Sequence, residues 1–133
     1  MIFVDTGAFL ARYVKRDQYH RAAVTFWDEL AGIDLPCLTS NLVLSETLTL
    51  LARRTTHRFA AERAQQIYAS HSLQILRPDA KDESAAILLL QKFAEQQVSF
   101  CDCISFVLMR RLGITDVFSF DRHFGIAGFN VRP

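Results

Sequence analysis

The chain has 133 residues, half of them hydrophobic and 11 of them Phe, which suits one domain with a real core and leaves little room for a second. Its formal net charge is +1, from 15 Lys and Arg against 14 Asp and Glu, so charge neither requires nor excludes a nucleic-acid partner. The longest apolar run, residues 85–90, is far too short to span a bilayer, so we expect no membrane partner.

Strands and helices alternate along the chain. Short apolar runs predict strands at residues 2–4, 35–39, 73–76 and 116–120, with a short fifth at 129–132. Apolar residues spaced three and four apart predict helices at residues 8–14, 19–31, 41–54, 55–70, 80–96 and from 99 or 101 to 112. The expected helix caps are Thr6, either Ser40 or Asn41, and Asp79, while Gly113 is expected to end the last helix. This order predicts a three-layer α/β/α fold with a short parallel sheet of four to five strands.

The three cysteines indicate a reducing compartment. They are Cys37, Cys101 and Cys103, an odd number, and the apolar N-terminal run breaks at Asp5 without the positive region of a signal peptide. Two thiols one residue apart, with no second pair, do not make a zinc pattern. We therefore expect a cytoplasmic protein with buried free thiols.

Four acids lie at or near the ends of predicted strands and helices or on an apolar helix face. Asp5 closes the first predicted strand, Asp121 follows the fourth, Asp102 opens a helix, and Glu46 shares a helix face with apolar residues. Burying a carboxylate is costly unless it is paired or bound to a cation. The four acids therefore predict a hard-cation site, and such a site indicates chemistry on phosphates.

Each acid also has a simpler explanation. Asp5 could cap the first helix, and Asp121 could stabilise a turn. Asp102 could interact with the helix dipole and the free N–H groups in the first turn of its helix. Glu46 could form an ion pair with Arg53 on the same helix face. These alternatives stay open for the single residues.

The combination of the acids is more informative than any one of them. The loops after parallel strands meet at one edge of a sheet, where neighbouring carboxylates repel each other unless a cation such as Mg²⁺ or Mn²⁺ is present. No histidine is an equally good candidate for a catalytic base, because none has a placement comparable with that of the acids. The four histidines are scattered along the chain: His20, His57, His71 and His123.

Four sequence blocks resemble those of the PIN domain family. They are residues 2–8, 39–46, 99–105 and 117–124, each of which contains one of the four acids, and together they extend over nearly the whole chain. A single PIN domain of this length is similar to the VapC toxins of toxin–antitoxin pairs. The cysteines on either side of Asp102 are unusual for the family, and Ser119 stands where Thr is frequent.

The resemblance implies a function and a site. The implied activity is an endoribonuclease, dependent on Mg²⁺ or Mn²⁺, that acts as the toxin of a type II toxin–antitoxin pair on single-stranded or loop RNA. The implied partners are a second copy of the chain and a small antitoxin protein. The implied catalytic residues are Asp5, Glu46, Asp102 and Asp121, of which the three aspartates hold the metal. Thr6 and Ser119 become supporting hydroxyls, and residues 1–133 form one nuclease domain.

Rival classes fit the residues less well. A PIN-like domain that binds RNA or protein without cleaving is the main alternative, although it would not need all four acids. A receiver-like domain would need an acidic neighbour of Asp5 and a lysine near the last strand, but the last lysine is Lys92. An aspartyl phosphatase would need a second Asp where Gly7 stands. Cleavage of DNA stays open.

Overall fold

The computed structural model describes all residues from 1 to 133 as five strands and seven helices. The strands are β1 (Ile2–Val4), β2 (Cys37–Ser40), β3 (Leu73–Leu76), β4 (Asp116–Phe118) and β5 (Asn130–Arg132). The helices are α1 (Thr6–Tyr13), α2 (His20–Gly32), α3 (Asn41–Arg54), α4 (His57–Ala69), α5 (Ala80–Lys92), α6 (Phe100–Leu112) and α7 (His123–Ile126). None of the helices combines the length and the apolar character needed to cross a membrane.

The five strands form one sheet in the order β3-β2-β1-β4-β5, and every neighbouring pair is parallel. With the helices flanking the sheet, this is the predicted three-layer α/β/α arrangement. The chain builds β1, β2 and β3 outward in one direction and then returns to place β4 on the other side of β1. The strand order therefore reverses between β1 and β4, which is the point where α/β sheets commonly bind ligands.

The core is rich in aromatic side chains. A cluster of 26 buried residues surrounds the sheet, and within it Phe26 meets Phe118 edge to face with ring centroids 4.7 Å apart. A smaller cluster joins α1, α3 and α4 through Leu10, Val14, Leu51 and Ala60. Burial of this apolar area is the main force that holds α1 and α3 beside the carboxyl ends of the strands.

Most predicted boundaries are confirmed, and two of the corrections bear on the site. Ser40 caps α3, and Gly113 ends α6 in the left-handed conformation that glycine favours. The prediction of Thr6 as a cap is wrong: Asp5 occupies the N-cap position and Thr6 is the first residue of α1. The fourth strand ends at Phe118, not at residue 120, because the chain turns there and the Ser119 hydroxyl accepts a hydrogen bond from the Asp121 N–H.

The helix predicted to run to residue 96 stops at Lys92. The turn that follows includes Gln97 at a φ of 55°, a left-handed conformation through which a helix cannot continue. Ser99, one of the two predicted starts, then caps α6.

Candidate active site

Asp5 lies at the junction of the two central strands. Its backbone N–H donates to the carbonyl of Phe118 at 3.0 Å, which ties the end of β1 to the end of β4. Its carboxylate is buried and accepts a hydrogen bond from the Ser119 hydroxyl at 2.9 Å. Although Asp5 stands at the N-cap position of α1, its side chain makes no capping bond. Helix capping therefore does not explain this buried carboxylate.

Asp102 projects from the first turn of α6. The helix is capped by Ser99, whose hydroxyl accepts from the Asp102 N–H at 3.1 Å, so the Asp102 carboxylate is not needed as a cap. Burial raises the pKa of Asp102 to about 8, and the charges of Asp5 and Asp121 add to the effect. Burial likewise raises the pKa of Asp5 to about 6, against the opposing hydrogen bond from Ser119.

Asp121 and His123 occupy one tight turn after β4. The Asp121 carboxylate accepts from the His123 N–H at 2.9 Å, so the predicted role of Asp121 in stabilising a turn is present. The His123 Nδ1 atom lies 3.2 Å from Asp121 Oδ1 and 3.8 Å from Asp102 Oδ2. Potential ligand atoms of Asp102, Asp121 and His123 all lie within 4.8 Å of one another.

The expectation that no histidine has a placement comparable with the acids is thus wrong for His123. The available signal was its position two residues after Asp121, since a turn that begins with Asp brings both side chains to the same side.

Glu46 lies at the edge of the site. It is exposed on α3, and the Thr6 hydroxyl donates to its Oε2 atom over a long 3.4 Å. The alternative of an ion pair with Arg53 is wrong, since none of the ion pairs in the structure joins these two residues. Its charge reaches the other acids, because it contributes to the raised pKa values of Asp5 and Asp102.

The four predicted acids line one open cleft of about 760 Å³. Arginines at its margin, Arg54 and Arg122, oppose the acids on its floor. Two aromatic residues that sequence reasoning did not single out, Tyr19 and Phe120, form part of the wall. The cleft thus presents an acidic floor beside basic and aromatic surfaces.

The ligand chemistry of the cleft fits a hard divalent cation. Carboxylate oxygens are the ligands that Mg²⁺ and Mn²⁺ prefer, and His123 adds one nitrogen nearby. The raised pKa values of Asp5 and Asp102 mean that these carboxylates cannot all ionise easily by themselves. A bound cation would favour their ionised forms.

The cysteines beside Asp102 do not extend this ligand set. All three cysteines are free thiols, as predicted, and Cys37 and Cys103 are buried. Burial raises the pKa of the Cys101 thiol, and the nearby Glu46 carboxylate raises it further. Since metals bind the thiolate, a thiol that resists ionisation is a poor ligand.

Comparisons with known proteins agree with this geometry. The family model described as PIN domain matches residues 2–130. The chain is 40% identical over 134 residues to proteins named 23S rRNA-specific endonuclease VapC20 from two strains of Mycobacterium tuberculosis, with 100% of this chain and 99% of theirs aligned.

A solved structure agrees as well. The crystal structure of Mycobacterium tuberculosis VapC20, described as a sarcin-ricin loop cleaving toxin, superposes with a TM-score of 0.88 at 38% identity over the full length of both chains. The match in sequence and in structure therefore extends over the whole molecule, and the chain belongs to the PIN domain family.

Proposed function

We propose that this chain is a metal-dependent endoribonuclease and the toxin of a type II toxin–antitoxin pair, with residues 1–133 forming one nuclease domain. The observation that carries the proposal is the cleft in which Asp5, Glu46, Asp102 and Asp121 meet without a Lys or Arg partner. The substrate class is a loop of ribosomal RNA, supported by 40% identity along the whole chain to a 23S rRNA-specific endonuclease.

In this proposal Asp5, Asp102 and Asp121 hold Mg²⁺ or Mn²⁺, with His123 beside them. The cation would neutralise charge that develops on the phosphodiester and lower the pKa of a bound water. Ser119 keeps two of the acids in place, because its hydroxyl donates to Asp5 while accepting from the Asp121 backbone. Thr6 supports Glu46 through the long hydrogen bond that its hydroxyl donates.

The reaction is hydrolysis at phosphorus. Glu46 orients a water molecule, whose oxygen forms a new bond to phosphorus while the bond to the 3′ oxygen breaks. The proton of the water ends on the departing 3′ oxygen, directly or through Glu46, so the products are a 5′ phosphate and a 3′ hydroxyl. A 2′,3′-cyclic phosphate on the product would instead identify the RNA's own 2′ hydroxyl as the nucleophile.

The proposed setting extends the resemblance to the VapC toxins. A small antitoxin protein neutralises the enzyme, which acts as a homodimer in the cytoplasm. Free thiols at Cys37, Cys101 and Cys103 support a reducing compartment. No second chain is needed to supply the four acids of the cleft.

The test is cleavage of 23S rRNA, in ribosomes and as free RNA, with Mg²⁺, Mn²⁺ or a chelator. Wild type is compared with Asp5→Asn and with Glu62→Gln, which changes an exposed acid on α4 outside the cleft. We expect metal-dependent cutting by wild type and Glu62→Gln and its loss in Asp5→Asn. Equal cutting by all three would place the activity elsewhere. Metal-independent binding without cutting would favour a catalytically silent RNA-binding domain.

A further inference from the structure

Tyr19 and Phe120 form a stack that differs from the other aromatic contacts. Their ring centroids are 4.4 Å apart and their planes differ by only 1°. The other aromatic pairs are tilted or edge to face, as in the contact between Phe106 and Phe124 at 87°. Two parallel rings leave the outer face of the stack flat and available for a third ring.

The stack is joined to the proposed catalytic acids. Both rings line the acidic cleft. Phe120 stands in sequence between Ser119, which bonds Asp5, and Asp121, and its ring lies beside Gly7, which follows the first acid by two residues. Phe120 also packs against the main core, so the position of its ring is fixed relative to the acids.

Tyr19 is held in place without being buried. Its backbone N–H donates to Asp17 at 2.8 Å, and the other oxygen of Asp17 lies 3.6 Å from Arg54 on α3. Arg16 closes the same link by donating to the Arg54 carbonyl at 2.9 Å. Tyr19 is nevertheless 41% exposed and is not among the residues packed on the core. The exposed part of the Tyr19 ring is therefore fixed in position and accessible to a ligand in the cleft.

The surrounding charges indicate which ligand. Carboxylates on the cleft floor would repel an anionic chain, but Arg54 and Arg122 line the same cleft and attract phosphates. Aromatic faces beside basic side chains recognise unpaired bases of RNA by stacking. We propose that the Tyr19–Phe120 stack is a platform for one unpaired base next to the cleaved phosphate, and that this base lies on the outer face of Tyr19. This substrate subsite rests on the proposed ribonuclease function.

The competing explanation is that the stack only braces the segment before α2. Replacement of Tyr19 separates the two. Tyr19→Phe keeps the ring, Tyr19→Leu keeps apolar bulk without a ring, and Tyr19→Ala keeps neither. A brace tolerates Leu, whereas a base platform does not. Tyr68→Ala is the matched control, because Tyr68 is 49% exposed on α4 and lies outside the cleft.

The experiment measures base stacking in protein that does not cut. Each variant is made with Asp5→Asn, and the probe is the tightest-binding hairpin from a set covering the loops of 23S rRNA. The fluorescent base 2-aminopurine replaces one loop base at a time, and Mg²⁺ is present. We expect quenching at one loop position, kept in Tyr19→Phe and Tyr68→Ala. Tyr19→Leu and Tyr19→Ala should lose the quenching and raise Kd roughly tenfold, with melting temperatures of the Leu variant unchanged.

Each result has a distinct meaning. Quenching that survives in Tyr19→Leu overturns the platform, even when the wild-type enzyme cuts RNA. Quenching that depends on the Tyr19 ring while wild type binds without cutting supports the platform and overturns the nuclease activity. Failure of every hairpin to bind overturns the platform, while cleavage of ribosomes and free RNA by wild type separately decides the nuclease activity.

Discussion

Two aspartates at the same position of two neighbouring helices have opposite surroundings. Asp82 is the third residue of α5 and Asp102 the third residue of α6, and both are buried, at 3% and 8% exposed. In both helices the N-cap side chain accepts a hydrogen bond from the N–H of that third residue, from Asp79 in α5 and from Ser99 in α6. The local backbone chemistry is therefore matched.

The difference lies in what the two carboxylates contact. Asp82 meets the Arg111 guanidinium through two bonds of 3.0 and 3.1 Å and also accepts from the Asp79 N–H at 3.0 Å. Asp102 has no Lys or Arg partner, and its one basic contact is the His123 Nδ1 atom at 3.8 Å. Burial, together with the charges of Asp5 and Asp121, raises its pKa to about 8. Asp82 thus has the partners that a structural acid requires. Asp102 lacks such partners, as expected of an acid that binds a ligand. Because both acids are buried, the presence or absence of an Arg partner separates the structural acid from the proposed ligand-binding acid.

Replacing Asp102 gives the largest expected effect. Asp102→Asn removes one proposed metal ligand, so RNA cleavage should fall roughly a hundredfold or more. The melting temperature of the metal-free protein should stay the same or rise, because Asn cannot ionise at a buried position that disfavours a negative charge and has no Lys or Arg partner. Parallel assays of cleavage and thermal unfolding test both parts. A large loss of stability would mean that Asp102 is structural like Asp82.

Replacing Asp82 should give the reverse pattern. Asp82→Asn leaves Arg111 without its partner and weakens the cap of α5, which should lower the free energy of unfolding by about 2 kcal/mol. The value is modest for a buried pair because half of the Arg111 side chain is exposed. Urea unfolding gives the stability, and cleavage per folded molecule should not change. A specific loss of cleavage would contradict a purely structural role.

Ser119 permits a smaller perturbation of the acidic cluster. Ser119→Ala removes the hydrogen bonds to Asp5 and from the Asp121 backbone, so cleavage should fall about tenfold. Because a bond to the ionised carboxylate is lost, the pKa of Asp5 should rise further above about 6. The acidic limb of the pH–rate profile should then move to higher pH. Ser119→Thr keeps the hydroxyl and should keep the wild-type profile.

The pH dependence of stability gives the smallest effect. The pKa values of Asp5 and Asp102 rise from 3.8 to about 6 and about 8 on folding, so the folded chain holds protons that the unfolded chain has released. Their contribution to stability is present at low pH and is lost as the pH rises through these two values. Between pH 5 and 8, metal-free wild type should lose about 5 °C more in melting temperature than Asp102→Asn.

Added Mg²⁺ or Mn²⁺ should reverse this loss, since a ligand that binds only the folded chain stabilises it. The reversal should be larger at pH 8 than at pH 5, because the ligands must be ionised. Equal pH profiles for wild type and Asp102→Asn would show that Asp102 titrates normally.

The sequence predicted those parts of the molecule that depend on local pattern. Apolar runs located all five strands, and because parallel strands end at one edge, Asp5 and Asp121 were expected together. Two features that the sequence did not reveal depend on contacts distant in sequence, whereas the errors at Thr6, residues 119–120, residues 93–96 and His123 concern local turns. Arg111 lies 29 residues from Asp82 on the next helix, so nothing in the sequence distinguishes this paired acid from Asp102. The stacking of Tyr19 on Phe120 could not be predicted for the same reason, because the two residues are far apart in sequence.

The hydrogen bond from Ser119 to Asp5 joins residues 114 positions apart. A growing chain that has not reached Ser119 can bury neither Asp5 beside β4 nor its charge among the other acids. The acidic cleft therefore cannot be complete until the fourth strand has been translated. Because the proposed substrate is ribosomal RNA, the order of synthesis delays formation of the active site on the ribosome that makes the chain.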